Sequence, residues 1–127
     1  MKILLDTHAL IWWLGNPSKL SRRASAMIAN QNNTILVSAA IAWELAIKVN
    51  LGRFDGLSLT TELSRYAEEE GFEELSISME QAVRAGLLPW HHRDPFDRML
   101  VAQAQALNAP ILSADPVLDQ YDVKRLW

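Results

Sequence analysis

Four acids, Asp6, Glu44, Asp97 and Asp115, are the residues of this 127-residue chain best placed for chemistry. Asp6 directly follows the apolar run Ile3-Leu4-Leu5, and Asp115 closes Ile111-Leu112-Ser113-Ala114, so each ends a candidate buried strand. In open parallel α/β sheets, ligands bind in the crevice outside the carboxyl ends of the strands. Asp97 falls in the first turn of a helix opened by Asp94-Pro95, and Glu44 in the second turn of one that follows a strand. All four can face one crevice. Carboxylates gathered there repel one another and titrate upward unless a counter-charge is present. A hard divalent cation resolves that repulsion, and an oxygen-only donor set favours Mg²⁺ or Mn²⁺ over zinc. Such sites complete their shell with substrate phosphates, which points to phosphodiester chemistry.

Each acid also has an ordinary use. Asp6, Asp94 and Asp115 suit helix caps, Asp115 because Pro116 follows it. Asp97 would complement the positive end of a helix dipole, and Glu44 precedes Lys48 by one helical turn. Glu44 is the hardest to dismiss. Between Ile35 and Ile47 the only other polar residue is Ser38, and a carboxylate on a buried helix needs a cation or hydrogen bonds. Lys48 or a metal would serve.

The elements that carry these acids alternate between short apolar runs and helical patterns. The alternation predicts βα units around a mainly parallel sheet of four to five strands, an α/β fold. Strands are expected at Lys2 to Leu5, Thr34 to Ser38, Phe72 to Ser76, Pro110 to Ser113 and Val123 to Leu126. Helices are expected from Ser21 to Ala29, Ala39 to Leu51 before Gly52, Leu59 to Glu70 before Gly71, and Ser78 to Gly86. A loop spans Leu87 to Arg93. The late helix, capped by Asp94, runs to Leu107 with Phe96, Met99, Leu100, Ala104 and Leu107 on one stripe.

With 50% hydrophobic residues, the chain is expected to form one domain over residues 1–127. There is no cysteine, which excludes disulfides, thiolate zinc sites and cysteine nucleophiles. The net charge of −3 argues against sequence-independent coating of nucleic acid, though not against a local basic rim. Asp6 and His8 interrupt the first apolar stretch, so the N-terminus reads as mature protein, and no run reaches the length of a membrane span. A cytoplasmic protein is the expectation.

At Leu4-Leu5-Asp6-Thr7-His8, Val37-Ser38 with Trp43-Glu44, Asp94-Pro95-Phe96-Asp97-Arg98-Met99-Leu100-Val101-Ala102, and Ile111-Leu112-Ser113-Ala114-Asp115, the chain resembles the PIN domain. Within that family it resembles the VapC-like toxin ribonucleases of type II toxin–antitoxin pairs. The resemblance covers nearly the whole chain and implies a three-layer α/β/α PIN-like fold. It implies that Asp6, Glu44, Asp97 and Asp115 hold Mg²⁺ or Mn²⁺ and catalyse endonucleolytic hydrolysis of RNA. Attack by water would leave 5′-phosphate and 3′-hydroxyl ends. It further implies a homodimer and a VapB-like antitoxin whose C-terminal segment blocks the site. The rival within the fold is a protein-binding module with little turnover. A receiver domain or a haloacid-dehalogenase phosphatase is disfavoured: Thr7 stands where the first needs a second acid, and His8 where the other needs an aspartate.

Asp97 matches the family pattern better than Asp94, which is the better cap and an outer ligand at most. Thr7 and Ser113 stand where hydroxyls hold water or a phosphate oxygen, although hydroxyls beside caps more often serve the local backbone. His91 and His92 read as polar loop surface, with RNA contact or help to a leaving group left open, and His8 is discounted alike. Lys48, Arg53, Arg93 and Arg98 would steer an RNA backbone or simply keep the surface soluble. Of the five tryptophans, Trp43 is expected in the core, while Trp12 and Trp13 divide between an inward and an outward face.

Overall fold

The structure, a computed structural model, describes residues 1–127. Its five strands are β1 (Lys2–Leu5), β2 (Thr34–Ser38), β3 (Glu73–Leu75), β4 (Ile111–Leu112) and β5 (Arg125–Leu126). They form one sheet in the order β3-β2-β1-β4-β5, with every neighbouring pair parallel. β1 is central, and Ile3, Leu4 and Leu5 are all fully buried, as a strand covered on both faces must be. Leu4 pairs with Leu36 of β2 on one side and Ile111 of β4 on the other.

Seven helices make the crossovers: α1 (Thr7–Gly15), α2 (Arg22–Ala29), α3 (Ala39–Asn50), α4 (Leu57–Thr61), α5 (Leu63–Glu69), α6 (Met79–Leu87) and α7 (Pro95–Leu107). The chain steps outward from β1 to β2 and β3, then returns through α6 and α7 to β4 on the far side of β1. With right-handed crossovers, that reversal sends the returning helices to the opposite face, giving the expected three-layer α/β/α arrangement. It also opens a crevice between the C-terminal ends of β1 and β4. Asp6 and Asp115 stand there.

Local chemistry sets the helix ends. Ser21, Ser38 and Ser78 cap α2, α3 and α6, and Gln81 reaches back to Ser78 to complete a capping box. Gly71, at φ +74°, turns the chain out of α5 into β3.

Three expectations need correction. The helix predicted from Leu59 to Glu70 is two helices, broken at Glu62, where the Thr61 hydroxyl bonds back to the carbonyls of Leu57 and Ser58 and competes with helix propagation. α7 is buried over a wider arc than one stripe, including Val101, Ala102 and Gln103, whereas Leu107 is exposed. Trp43 is outside the core: it is 62% exposed and packs edge-on against Phe96, joining α3 to α7. No helix is long and apolar enough to cross a membrane.

Candidate metal centre

Asp6 and Asp115 at the crevice, and Asp94 beside it, each spend one carboxylate oxygen on a backbone cap. Asp6 caps α1, its Oδ1 accepting the Ala9 N–H at 2.8 Å. Asp115 caps the 3₁₀ turn Pro116–Gln120, its Oδ1 accepting the Val117 N–H at 3.0 Å. Asp94 does the same for α7 through the Phe96 N–H. The capping role and a ligand role are therefore compatible, because each cap uses one carboxylate oxygen and leaves the second free to turn inward. Asp97, on the first turn of α7, caps nothing.

Asp6, Asp97 and Asp115 line one crevice of about 350 Å³ with His8, Trp12 and His92. Asp97 carries its electrostatic strain: its carboxyl is pushed up to about 8, first by burial and then by the charges of Asp94, Glu44, Asp6 and Asp115. Burial likewise raises Asp6, against hydrogen bonds from Ser113 and the Ala9 amide. Three of the four predicted acids, Asp6, Asp97 and Asp115, line this crevice, and Glu44 lies outside its lining but near enough for its charge to reach Asp97.

Glu44 is almost fully buried on α3, beside the crevice, and both of its oxygens are engaged. The Thr7 hydroxyl donates to Oε1 at 2.7 Å, and Lys48 pairs with Oε2. The cation expected for this buried carboxylate is therefore present in the chain itself. Thr7 serves Glu44 rather than the local backbone, a side chain-to-side chain role that sequence proximity could not reveal. Ser113 does both, its Oγ accepting the Asp115 N–H and its hydroxyl serving the Asp6 carboxylate.

The residue that sequence reasoning missed is His92. Its Nε2 lies 3.0 Å from Asp115 Oδ2 and 3.1 Å from Asp97 Oδ2, and the three ligand atoms fall within 4.8 Å of one another. A loop built from several directions places it there. The Tyr121 hydroxyl accepts the His92 N–H at 2.9 Å and donates to Pro89 O at 2.7 Å. Arg98, buried on α7, donates to the carbonyls of Ala85, Gly86, Leu88 and Pro89, and its guanidinium stacks on Trp90. Arg98 is therefore committed inside the protein, which corrects the expectation that it steers a substrate backbone, whereas Lys48 pairs with Glu44 from a side chain that is still 40% exposed. His91 stays outside and packs edge-on against Tyr121.

The donor set fits a hard divalent cation better than zinc. It is dominated by carboxylate oxygens, it contains no sulfur, and the raised Asp97 carboxyl registers an excess of negative charge awaiting compensation.

The profile of the PIN domain matches residues 3–124. Ribonuclease VapC22 of Mycobacterium tuberculosis is 33% identical over 105 residues, spanning 80% of this chain and 78% of that protein. The VapBC2 complex of Rickettsia felis bound to a promoter DNA fragment contains a chain of the same fold, with TM-score 0.71, 14% identity and coverage of 99% and 98%. VapBC-1 of nontypeable Haemophilus influenzae gives 0.66, 18%, and coverage of 99% and 97%. FitAcB of Neisseria gonorrhoeae gives 0.68, 18%, and coverage of 98% and 96%. The match over almost every residue, on a sheet whose switch point gathers the acids, makes this chain a member of the PIN domain family and a homologue of the VapC ribonucleases.

Proposed function

We propose that the protein is a Mg²⁺- or Mn²⁺-dependent endoribonuclease and the toxin of a type II toxin–antitoxin pair, with Asp6, Glu44, Asp97 and Asp115 as the metal-binding and catalytic residues. The observation that carries this reading is the Asp97 carboxyl. Burial first, and then the charges of four neighbouring acids, push it up to about 8, an arrangement that costs stability until a cation joins it. When bound, a divalent ion supplies positive charge against the phosphoryl oxygens and makes water nucleophilic at neutral pH. The remaining work belongs to the chain. Thr7 and Lys48 hold the Glu44 carboxylate in one orientation, the backbone caps fix Asp6 and Asp115, and a carboxylate at the crevice accepts the proton that water gives up.

The partners follow from the family. RNA is the substrate, a small VapB-like antitoxin blocks the site through its C-terminal segment, the active form is a homodimer, and the setting is the cytoplasm. The relative named Ribonuclease VapC22 supports the first, and the toxin–antitoxin complexes of like fold support the second.

The test is cleavage of end-labelled structured RNAs with Mn²⁺ or EDTA, comparing the parent with Asp6→Asn and Asp97→Asn. Each variant is expected to lose on the order of 100-fold in rate, the scale of losing one electrostatic contact to a transition state. Variants that cleave like the parent would remove these residues from the site. Products ending in 2′,3′-cyclic phosphate would refute attack by water.

A further inference from the structure

We infer that His92 is a positioning residue of the metal centre that donates a hydrogen bond to Asp115 and is not itself a ligand. The inference rests on the reading of Asp97 and Asp115 as metal-binding residues. The ring's hydrogen bonds assign its proton. Nδ1 accepts the Asp94 N–H at 3.1 Å, so in the neutral ring the proton sits on Nε2. That Nε2–H points at Asp115 Oδ2, 3.0 Å away, with Asp97 Oδ2 close by at 3.1 Å. To bind a metal through Nε2, the ring would have to move its proton to Nδ1, directly against the Asp94 amide. The loop as folded forbids that tautomer.

Asp115 is consequently held by two donors, the Val117 N–H on Oδ1 and His92 on Oδ2. Each oxygen retains a second lone pair for a cation. Ligating carboxylates fixed by such outer hydrogen bonds bind metal more tightly, because two like charges are held in place before the ion arrives. His92 in turn is fixed at three points: by Asp94 at Nδ1, by the Tyr121 hydroxyl at its amide, and through the Pro89 carbonyl that Tyr121 and Arg98 share.

The test is Mn²⁺ titration of the full chain by calorimetry, with electron spin-echo spectroscopy of the bound Mn²⁺. His92→Ala is expected to weaken Mn²⁺ binding roughly 10–100-fold, the effect of removing a donor to a ligating group. His92→Gln, whose amide nitrogen reaches the same place as a donor, is expected to restore affinity to within about threefold. Tyr121→Phe keeps the ring but releases the loop, and is expected to weaken binding by a smaller factor. Spectra of the parent are expected to show no directly coordinated ¹⁴N. Unchanged or tighter binding by His92→Ala, or a coordinated-nitrogen signal in the parent, would overturn the assignment. A parent that takes up no Mn²⁺ would overturn the metal reading itself, and this inference with it.

Discussion

Asp97→Asn is expected to stabilise the protein in EDTA, and to do so increasingly as pH rises. The Asp97 carboxyl titrates at about 8 in the folded chain against an ordinary value of 3.8. Between those values the folded state retains a proton that the unfolded chain releases, so metal-free stability falls as pH rises through that window. Each pH unit of displacement corresponds to about 1.4 kcal/mol, which sets a ceiling of about 4 kcal/mol at pH 7 and about 6 kcal/mol above pH 8. Asp97 is still 23% exposed, and relaxation around it lowers those figures. A realised gain of about 2 kcal/mol would raise Tm by roughly 8 °C for a chain of this size. An asparagine keeps an acceptor facing His92 and adds a donor toward the neighbouring carboxylates. Thermal melts at pH 5, 7 and 9, with EDTA and with Mn²⁺, measure the effect. The parent should melt lower at pH 9 than at pH 5 in EDTA and recover on addition of Mn²⁺, whereas the variant should be flatter with pH and respond little to the metal. A variant that melts below the parent in EDTA at pH 9, or a gap that fails to widen with pH, would refute the assignment of strain to Asp97.

Other perturbations probe the supports of the site. Thr7→Val removes the only hydroxyl donor to the buried Glu44 Oε1 and is expected to cost about 1.5–3 kcal/mol in urea unfolding, with Thr7→Ser recovering most of it. Arg98→Met strips the donor shared by four carbonyls at the end of α6 and in the loop after it, a loss expected at about 3 kcal/mol or more. Arg98→Lys should not restore it, since an ammonium lacks the planar fork. Ser78→Ala breaks the α6 capping box, costing about 1 kcal/mol while leaving RNA cleavage and Mn²⁺ affinity at parental levels.

The four acids stand out in the sequence because each is tied to a signal written locally in the chain, and the structure brings three of them, Asp6, Asp97 and Asp115, to one crevice. Asp6 and Asp115 end apolar runs, Asp97 follows Asp94-Pro95 into a helix, and Glu44 interrupts an otherwise apolar segment. Trp43 was misplaced because its apolar sequence neighbours do not say which arc of α3 faces outward. The break at Glu62 was missed because it depends on a side chain bonding back to its own helix. His92 was discounted for a related reason. A histidine in a polar loop carries no local mark of where the loop will be pinned.

Apolar alternation, cap residues and strand-ending acids therefore suffice, from the sequence alone, to set the α/β class and the order of the main elements and to single out acids that share the crevice, Asp6, Asp97 and Asp115, since these depend on neighbours a few positions away. Only the tertiary structure decided which groups serve them. Thr7 reaches Glu44 across the gap between α1 and α3, Arg98 anchors a loop ahead of its own helix, and Tyr121 holds His92 from beyond β4. Those pairings depend on how packed layers bring distant segments within 3 Å, a distance that no spacing along the chain encodes.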